Sequence, residues 1–202
     1  MTPSDAPRMH VALFRNLNLG HRGSPTKDEL LSAFDGALRV RSFQTNGTVI
    51  FSATSARATC DQALHALRAR GFEHPVMLRT IEEVAEAVAA TPAADPADGV
   101  HRSAISFFDA GHPGARPSGA RPSDARPSDA GPPPDLTLPL RGANGLVELR
   151  RLGRGSASTV CWMRRGAPGD VTGFLERLLG VPVTTRTLGT LQRLLKAAAG
   201  MG

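Results

Sequence analysis

Residues 39–52, RVRSFQTNGTVIFS, decide the fold because they place two strand-like runs around a turn signal. The runs RVRSF and TVIFS are rich in β-branched and aromatic side chains, which favour strands. The dipeptide Asn46-Gly47 predicts a turn or a bulge, since both residues tolerate a positive φ. This stretch therefore predicts two strand segments, with the turn or bulge between or within them.

The flanking sequence adds helices and further strands. Residues 9–20, MHVALFRNLNLG, predict a first strand that continues into a loop ending at glycine, and residues 27–38 carry leucine and phenylalanine at helical spacing. Residues 57–70 predict a second helix, and residues 74–79, HPVMLR, predict the next strand. The order β-α-β-α-β, with the second strand single or split, resembles a ferredoxin-like unit.

The rest of the chain continues this alternation of elements. A capping box in Thr80–Glu83 predicts a third helix. Residues 102–108, RSAISFF, predict a strand, and two more strand-like runs lie within residues 145–165. Asp170 caps a fourth helix, and a last helix starts at about residue 188. We therefore expect an α+β fold in which helices cover one face of each sheet.

Two segments depart from the periodic pattern and set the predicted domain limits. Residues 1–8 contain two prolines and no apolar period, which predicts a disordered extension before a folded domain. Residues 111–135 contain the repeat ARPSG-ARPSD-ARPSD, whose regular prolines disfavour both helix and strand and predict a disordered insertion. The first half of the fold is then expected over residues 9–90, and the second half over residues 101–200.

Composition excludes several classes of protein. The 202 residues include 41% apolar and 21% charged side chains, so the chain can form a hydrophobic core. No run of 18 apolar residues is present to span a membrane. Aromatic residues make up only 4%, with no tyrosine, so stacking platforms for single-stranded nucleic acid are mostly lacking.

Cysteine and histidine spacing predicts neither a metal site nor a bound cofactor. Cys60 and Cys161 each lie inside an apolar-periodic segment, which is typical of buried thiols in a reducing cytoplasm. The six histidines show no metal-ligand spacing, and no Gly-x-Ser-x-Gly elbow is present. The first residues, MTPSDAPR, lack the apolar region of a secretion signal, so we expect a cytoplasmic protein.

The loop that follows the first predicted strand is a candidate binding site. Its sequence, Arg15-Asn16-Leu17-Asn18-Leu19-Gly20, combines an arginine at the end of a strand with backbone amides near a glycine, an arrangement that can hold an anion. It contains neither Gly-x-x-x-x-Gly-Lys-Ser/Thr nor Gly-x-Gly-x-x-Gly, so no nucleotide motif is indicated. The alternative is an ordinary connection between a strand and a helix.

Positive charge is concentrated in the second half of the chain. Residues 1–100 carry 10 basic and 11 acidic side chains, whereas residues 101–202 carry 14 basic and 7 acidic side chains. Arginine can contact phosphates, so nucleic-acid binding is an alternative function. Strand alternation argues against a single patch, because neighbouring strand residues point to opposite faces. The arginines proposed for phosphate contact are Arg150, Arg151, Arg154, Arg164 and Arg165.

The motifs MHVALFRNLNLG, TKDELLSAF and VRSFQTNGTVIFS resemble the start of the bacterial family called domain of unknown function 1697. Members typically read Leu-Arg-Gly-Ile-Asn-Val-Gly after the first strand and Gln-Ser-Gly-Asn-Val-Val-Phe later. Residues 180–190, GVPVTTRTLGT, resemble a third family motif that contains an arginine, here Arg186. The resemblance implies an α+β fold of two ferredoxin-like halves and names no activity.

These motifs define the ligand site that the sequence predicts. A strand end at Arg15 and a turn at Gly47 belong to one small sheet, and Arg186 follows a short strand from which it could face the same cleft. We expect a small anionic or polar ligand there. The alternatives are purely structural roles for these residues, nucleic-acid binding by the basic half, or an enzyme of unrecognised class without an identified catalytic residue. The candidate ligand-binding residues are Arg15, Asn18, Gly20, Asn46, Gly47, Thr48 and Arg186.

Overall fold

The computed structural model describes residues 8–92, 94, 99–109 and 136–201. The predicted disordered segments, residues 1–7 of the extension and the insertion 111–135, lie outside the described residues. Arg8 was assigned to the extension, but it is the first residue of the first strand.

Antiparallel strands and five helices make up the described chain. The strands are β1 (Arg8–Phe14), β2 (Arg39–Phe43), β3 (Thr48–Ala53), β4 (Val76–Thr80), β5 (Arg102–Phe107), β6 (Leu140–Arg141), β7 (Val147–Leu152), β8 (Ser156–Cys161), β9 (Met163–Arg164), β10 (Ala167–Pro168) and β11 (Thr184–Thr187). The helices are α1 (Lys27–Ser32), α2 (Ala56–Arg68), α3 (Ile81–Ala89), α4 (Val171–Leu179) and α5 (Leu188–Ala199). This confirms an α+β fold.

The chain divides into two compact units. The first unit contains the described residues of Met1–Val88 and Gly189–Gly202, and the second contains those of Ala89–Leu188. The last helix, α5, therefore belongs with the first unit, although the sequence placed it in the second half. Within the first unit, the guanidinium of Arg39 donates a hydrogen bond to the carbonyl of Met201, which ties the end of the described chain to β2.

The first unit contains a four-stranded sheet in the order β2-β3-β1-β4. β1 pairs antiparallel with β3, from Arg8 opposite Ala53 to Leu13 opposite Thr48. All six residues of β3 are buried, as expected for a strand with neighbours on both sides. One face of the sheet packs on α1 and α2. The buried residues of this core cluster include Ala12, Phe14, Leu30, Phe34, Val49, Phe51, Cys60, Ala63 and Leu67.

Helix α1 is shorter than its apolar spacing predicts. A capping box starts it, since Thr26 Oγ1 accepts from Glu29 N and Thr26 N donates to Glu29 Oε2. The predicted helix extended to Leu38, but α1 ends at Ser32. Leu38 instead donates its backbone N–H to Ser52 O at 2.8 Å, and its side chain is 62% exposed. Strand pairing therefore replaces the last helical turn.

The second unit contains a five-stranded sheet in the order β11-β5-β8-β7-β6. Asp170 caps α4, as predicted, because its Oδ1 accepts from Gly173 N at 2.9 Å. The helix ends at Gly180 in the left-handed conformation. Residues of α4 pack against one sheet face in a second core cluster. Its buried members are Phe108, Val147, Leu149, Ala157, Cys161, Val171, Leu175 and Val183.

Candidate functional site

Two loops meet at one end of the first sheet, and we refer to residues 15–20 and 44–47 as the loop pair. Leu19 N donates to Thr45 O at 2.7 Å, and Phe14 N donates to Gly47 O at 2.8 Å. The two loops, which were identified from separate sequence motifs, are therefore held together by backbone hydrogen bonds. These bonds place the loop after β1 directly beside the β2–β3 connection.

Gly47 is the point of closest approach within the loop pair. Its φ is +64°, and a Cβ added there would lie 2.8 Å from Leu17 Cβ and 2.9 Å from Leu17 O. Leu17 itself is only 1% exposed. Gly47 is therefore required for backbone geometry, because any side chain would separate the two loops.

Asn46 and Thr48 are connected within the hairpin itself. Thr48 is fully buried, and its Oγ1 donates to Asn46 Oδ1 at 2.8 Å. The Asn46 Nδ2 atom lies 3.5 Å from Gln44 Oε1, to which it donates. Thr48 thus orients the carboxamide of Asn46, which is half-buried beside the exposed Gln44.

The solvent-facing part of the loop pair is polar. Asn16, Asn18, Gly20, Gln44 and Thr45 are all exposed. Two of the three non-glycine residues with a positive φ in the described ranges are found here, Asn16 at 55° and Gln44 at 57°. Such backbone conformations are costly and cluster at functional sites. Asn16 and Gln44 were not among the predicted site residues. Asparagine's tolerance of this conformation was a signal for Asn16, whereas Gln44 offers none.

A third segment reaches the same end of the sheet. Arg15, half-buried, donates its backbone N–H to Pro75 O at 2.8 Å, which brings the connection before β4 next to the loop pair. The loop pair contains one arginine, Arg15, and no acidic residue, whereas the adjacent connection before β4 contains Glu73. The loop pair by itself therefore carries one positive charge.

Arg186 lies in the second unit, on β11 opposite Ile105. It is buried, with 9% exposure, and its Nη1 donates to Thr184 Oγ1 at 3.0 Å and to Thr185 O at 2.9 Å. Burial lowers the pKa of Arg186 to about 10, so the guanidinium is protonated at neutral pH. Its predicted approach to Arg15 and Gly47 stays a prediction.

A β-bulge changes the expected arrangement of Arg150 and Arg151. The pairing of β7 with β8 shifts between Leu149 and Arg151, so Arg150 is an extra residue in the strand. Arg150 Nε donates to Glu148 Oε1 at 3.0 Å, and the register places Arg151 on the same face as Glu148. The expectation that strand alternation separates the two arginines is therefore wrong.

The other predicted phosphate-contact arginines occupy different positions. Arg164 and Arg165 lie on the exposed β9–β10 hairpin, whereas Arg154 lies in the turn between β7 and β8. The five residue steps from Ser156 to Cys161 separate that turn from the start of the hairpin by roughly 16 Å. The structure therefore does not gather all five arginines at one point.

A tryptophan and a glutamate organise the arginines near the hairpin. The Arg141 guanidinium lies 4.3 Å from the ring centroid of Trp162, at cation–π distance. Its Nε is also 3.7 Å from Glu148 Oε2. Glu148 thus interacts with both Arg141 and Arg150.

The described part of the chain offers few groups for other chemistry. It contains no group of three or more His, Cys, Asp and Glu side chains that could hold a metal ion. Both cysteines are buried, as predicted, and burial raises the pKa of the Cys161 thiol. None of its helices is both long and apolar enough to cross a bilayer.

The fold and the loop pair define an α+β protein of two compact units with a polar loop cluster on the first sheet. The chain belongs to the family described as Protein of unknown function (DUF1697), whose model matches residues 8–127. It is also similar to the structure of a conserved bacterial protein from Streptococcus pneumoniae, with a TM-score of 0.57 and 14% sequence identity. That likeness covers 96% of this chain and 99% of the other, and it concerns the fold alone. No curated protein matches the chain.

Proposed function

We propose that the loop pair binds a small anionic or polar ligand. The observation that carries the proposal is the backbone pairing of the two loops, through Leu19 N to Thr45 O and Phe14 N to Gly47 O. This pairing presents several exposed polar groups on one rigid support. Preorganised groups of this kind lower the entropic cost of binding.

The chemistry of the exposed groups favours an oxyanion with additional hydrogen-bonding groups. The carboxamides of Asn16, Asn18 and Gln44 can donate through nitrogen and accept through oxygen. The Arg15 guanidinium supplies donors suited to a carboxylate or a phosphate. A ligand with one acidic group and several hydroxyl or amide groups would use both kinds of contact.

We also propose that the protein consists of two ferredoxin-like halves and that it is located in the cytoplasm. In the first unit, the strand order β2-β3-β1-β4 with α1 after β1 and α2 after β3 supports the ferredoxin-like assignment. In the second unit, the order β11-β5-β8-β7 repeats that arrangement, with α4 before β11. The two buried thiols favour a reducing compartment.

Titration of the 15N-labelled full chain with inorganic phosphate, and separately with acetate, tests the ligand site. We expect saturable amide shifts at Asn16, Asn18, Gly20 and Thr45, because their backbone lies on the exposed side of the loop pair. The Arg15→Gln variant should bind at least several-fold more weakly, since it loses the cation.

Arg57→Gln is the matched control. Arg57 is an exposed arginine at the start of α2, after β3 has crossed the sheet away from the loop pair, and it pairs with Asp61. It loses the same charge but should leave the shifts unchanged. Equal weakening in both variants, or saturable shifts confined to other residues, would contradict the proposal.

An enzyme of unrecognised class is the alternative for the same residues. Turnover in a metal-free screen of hydrolase substrates, lost in Arg15→Gln and kept in Arg57→Gln, would favour catalysis over simple binding.

A further inference from the structure

We infer that the exposed β9–β10 hairpin, residues 163–168, is a contact surface for the phosphodiester backbone of nucleic acid. The inference concerns the second unit and does not depend on the proposed ligand site of the loop pair. It rests on the geometry of the hairpin tip, on the charge around it, and on the way its base is held.

The tip of the hairpin contains an arginine in an unfavourable backbone conformation. Arg164 pairs with Ala167, so Arg165 and Gly166 form a two-residue loop. Their φ angles are 51° and 79°, both positive as in a type I′ turn. Asparagine, aspartate or glycine is preferred at the first position, whereas arginine costs about 1 kcal/mol or more. The turn does not need this side chain, so we attribute the arginine to a binding role of its guanidinium.

The hairpin is fully exposed and carries two arginines, Arg164 and Arg165, at its tip. Every residue from Met163 to Pro168 is exposed. Residues 136–170 contain six arginines and two acidic residues, Asp170, which caps α4, and Glu148. The Glu148 carboxylate interacts with Arg141 and Arg150 rather than with the hairpin arginines Arg164 and Arg165. The potential at the tip is therefore positive.

The base of the hairpin is held to the second sheet. Trp162 N donates to Leu146 O at 2.9 Å, and Gly169 N donates to Trp162 O at 3.0 Å. The Arg141 guanidinium covers the Trp162 ring. A short arm on a fixed base presents its two arginines at a lower entropic cost than a flexible tail would.

Phosphate is the partner chemistry that this arm fits. Two consecutive guanidinium groups suit bidentate contacts with successive phosphates. The tip carries no aromatic ring for base stacking, and its largest apolar side chain is Met163, at 46% exposure. We therefore expect contacts with the backbone that do not depend on base sequence and that weaken steeply with salt.

Fluorescence anisotropy with a labelled 20-base-pair DNA duplex, measured across a series of salt concentrations, tests the inference. The key variant is Arg165→Asn, which creates an Asn-Gly turn, the preferred type I′ sequence. Its melting temperature should be unchanged or higher, while the slope of log K against log salt falls by about 1. Arg165→Lys should keep the slope, because it keeps the charge.

Arg177→Gln provides a matched loss of one charge in the same unit. Arg177 is exposed on α4, outside the hairpin, and its replacement should leave the salt slope unchanged. If Arg165→Asn and Arg177→Gln weaken DNA binding equally, the loss of affinity is explained by net charge alone. The hairpin would then have no specific role, and the inference would fail. Binding of polyglutamate without binding of the duplex would overturn it in favour of an acidic protein partner.

Discussion

At the scale of single residues, Gly47 shows how one position can serve both the fold and the candidate site. Its neighbour Leu17 fills the space that a side chain at Gly47 would need, and the resulting contact joins the two polar loops. The exposed carboxamides on either side depend on that contact for their relative positions. Gly47 can thus contribute to the candidate site through backbone geometry alone.

Gly47→Ala should therefore destabilise the protein more than a comparable change elsewhere. The new Cβ meets Leu17, and the positive φ adds strain, so we expect a loss of roughly 2–5 kcal/mol in the free energy of unfolding. Gly20→Ala is the control, because Gly20 has a φ of +85° but nothing within 4 Å of an added Cβ. It should lose only about 1–2 kcal/mol. Urea unfolding of both variants tests this, and equal losses would contradict the packing argument.

Two buried serines in the second sheet should respond oppositely to alanine. Within the described chain Ser158 Oγ is buried without a hydrogen-bond partner, whereas Ser106 Oγ lies 2.9 Å from Thr185 Oγ1. Removing an unsatisfied buried hydroxyl costs nothing and can stabilise a protein by about 1 kcal/mol, whereas removing a bonded one destabilises it by a similar amount. We expect Ser158→Ala to unfold at the same or a higher urea concentration and Ser106→Ala at a lower one. The reverse order would contradict the assignment.

At the scale of elements, capping residues and side-chain periodicity identified where most helices and strands begin. Contacts with other elements then determined where α1 ends and how the side chains of β7 are arranged. The capping residues Thr26, Thr80 and Asp170 each bond the backbone of their helix as the sequence indicates. The apolar spacing of residues 27–38 suggested a longer α1, yet Leu38 pairs with β3 instead. A bulge at Arg150 likewise reverses the alternation that a regular strand would impose.

The capping box of α1 predicts a pH-dependent contribution to stability. Hydrogen bonds from the Thr26 backbone N–H and hydroxyl lower the pKa of Glu29 below its usual value of 4.5. A carboxyl whose folded pKa is lowered contributes stability that is fully present above its unfolded pKa and is lost as the pH falls through the folded pKa. The contribution of Glu29 should therefore be complete at pH 6 and decline below about pH 4.5.

Thermal unfolding of the wild type and of Thr26→Ala at pH 6 and at pH 3 measures this effect. The variant should melt below the wild type at pH 6, and the difference should be smaller at pH 3, because the carboxylate loses its stabilising contribution as the pH falls through its folded pKa. The Glu29→Gln variant serves as the control. Its glutamine side chain cannot titrate, so the melting temperature of this variant should change less than that of the wild type between pH 6 and pH 3. A difference that is constant with pH would contradict the role assigned to the carboxylate.

At the scale of the whole molecule, the two units are joined by more than one passage of the chain, since the last helix belongs with the first unit. The Pro-rich repeat lies in the sequence between β5 and β6, outside the described residues. Its sequence repeats Ala-Arg-Pro-Ser followed by Gly or Asp, a composition in which regular prolines disfavour helix and strand.

Replacing residues 115–134 by a short Gly/Ser linker should preserve folding. The cost of closing a loop grows only logarithmically with length, so shortening it changes the free energy of unfolding by about 1 kcal/mol or less. Circular dichroism and the yield of soluble protein test this, with the unmodified chain as reference. Loss of soluble protein or of a cooperative transition would show that the repeat packs against the fold.

The sequence by itself determined the α+β class, the strands around Asn46-Gly47, the family, and the helix starts at Thr26, Thr80 and Asp170. These features depend on side-chain periodicity, turn chemistry and hydrogen bonds within a few residues, which are local and therefore readable from sequence. Only the tertiary structure decided which backbone groups pair between the two loops, that Gln44 adopts a positive φ, and that a bulge places Arg150 and Arg151 on one face. It also placed α5 with the first unit. Each of these outcomes is set by contacts between residues distant in sequence, where packing and strand register outweigh local preference.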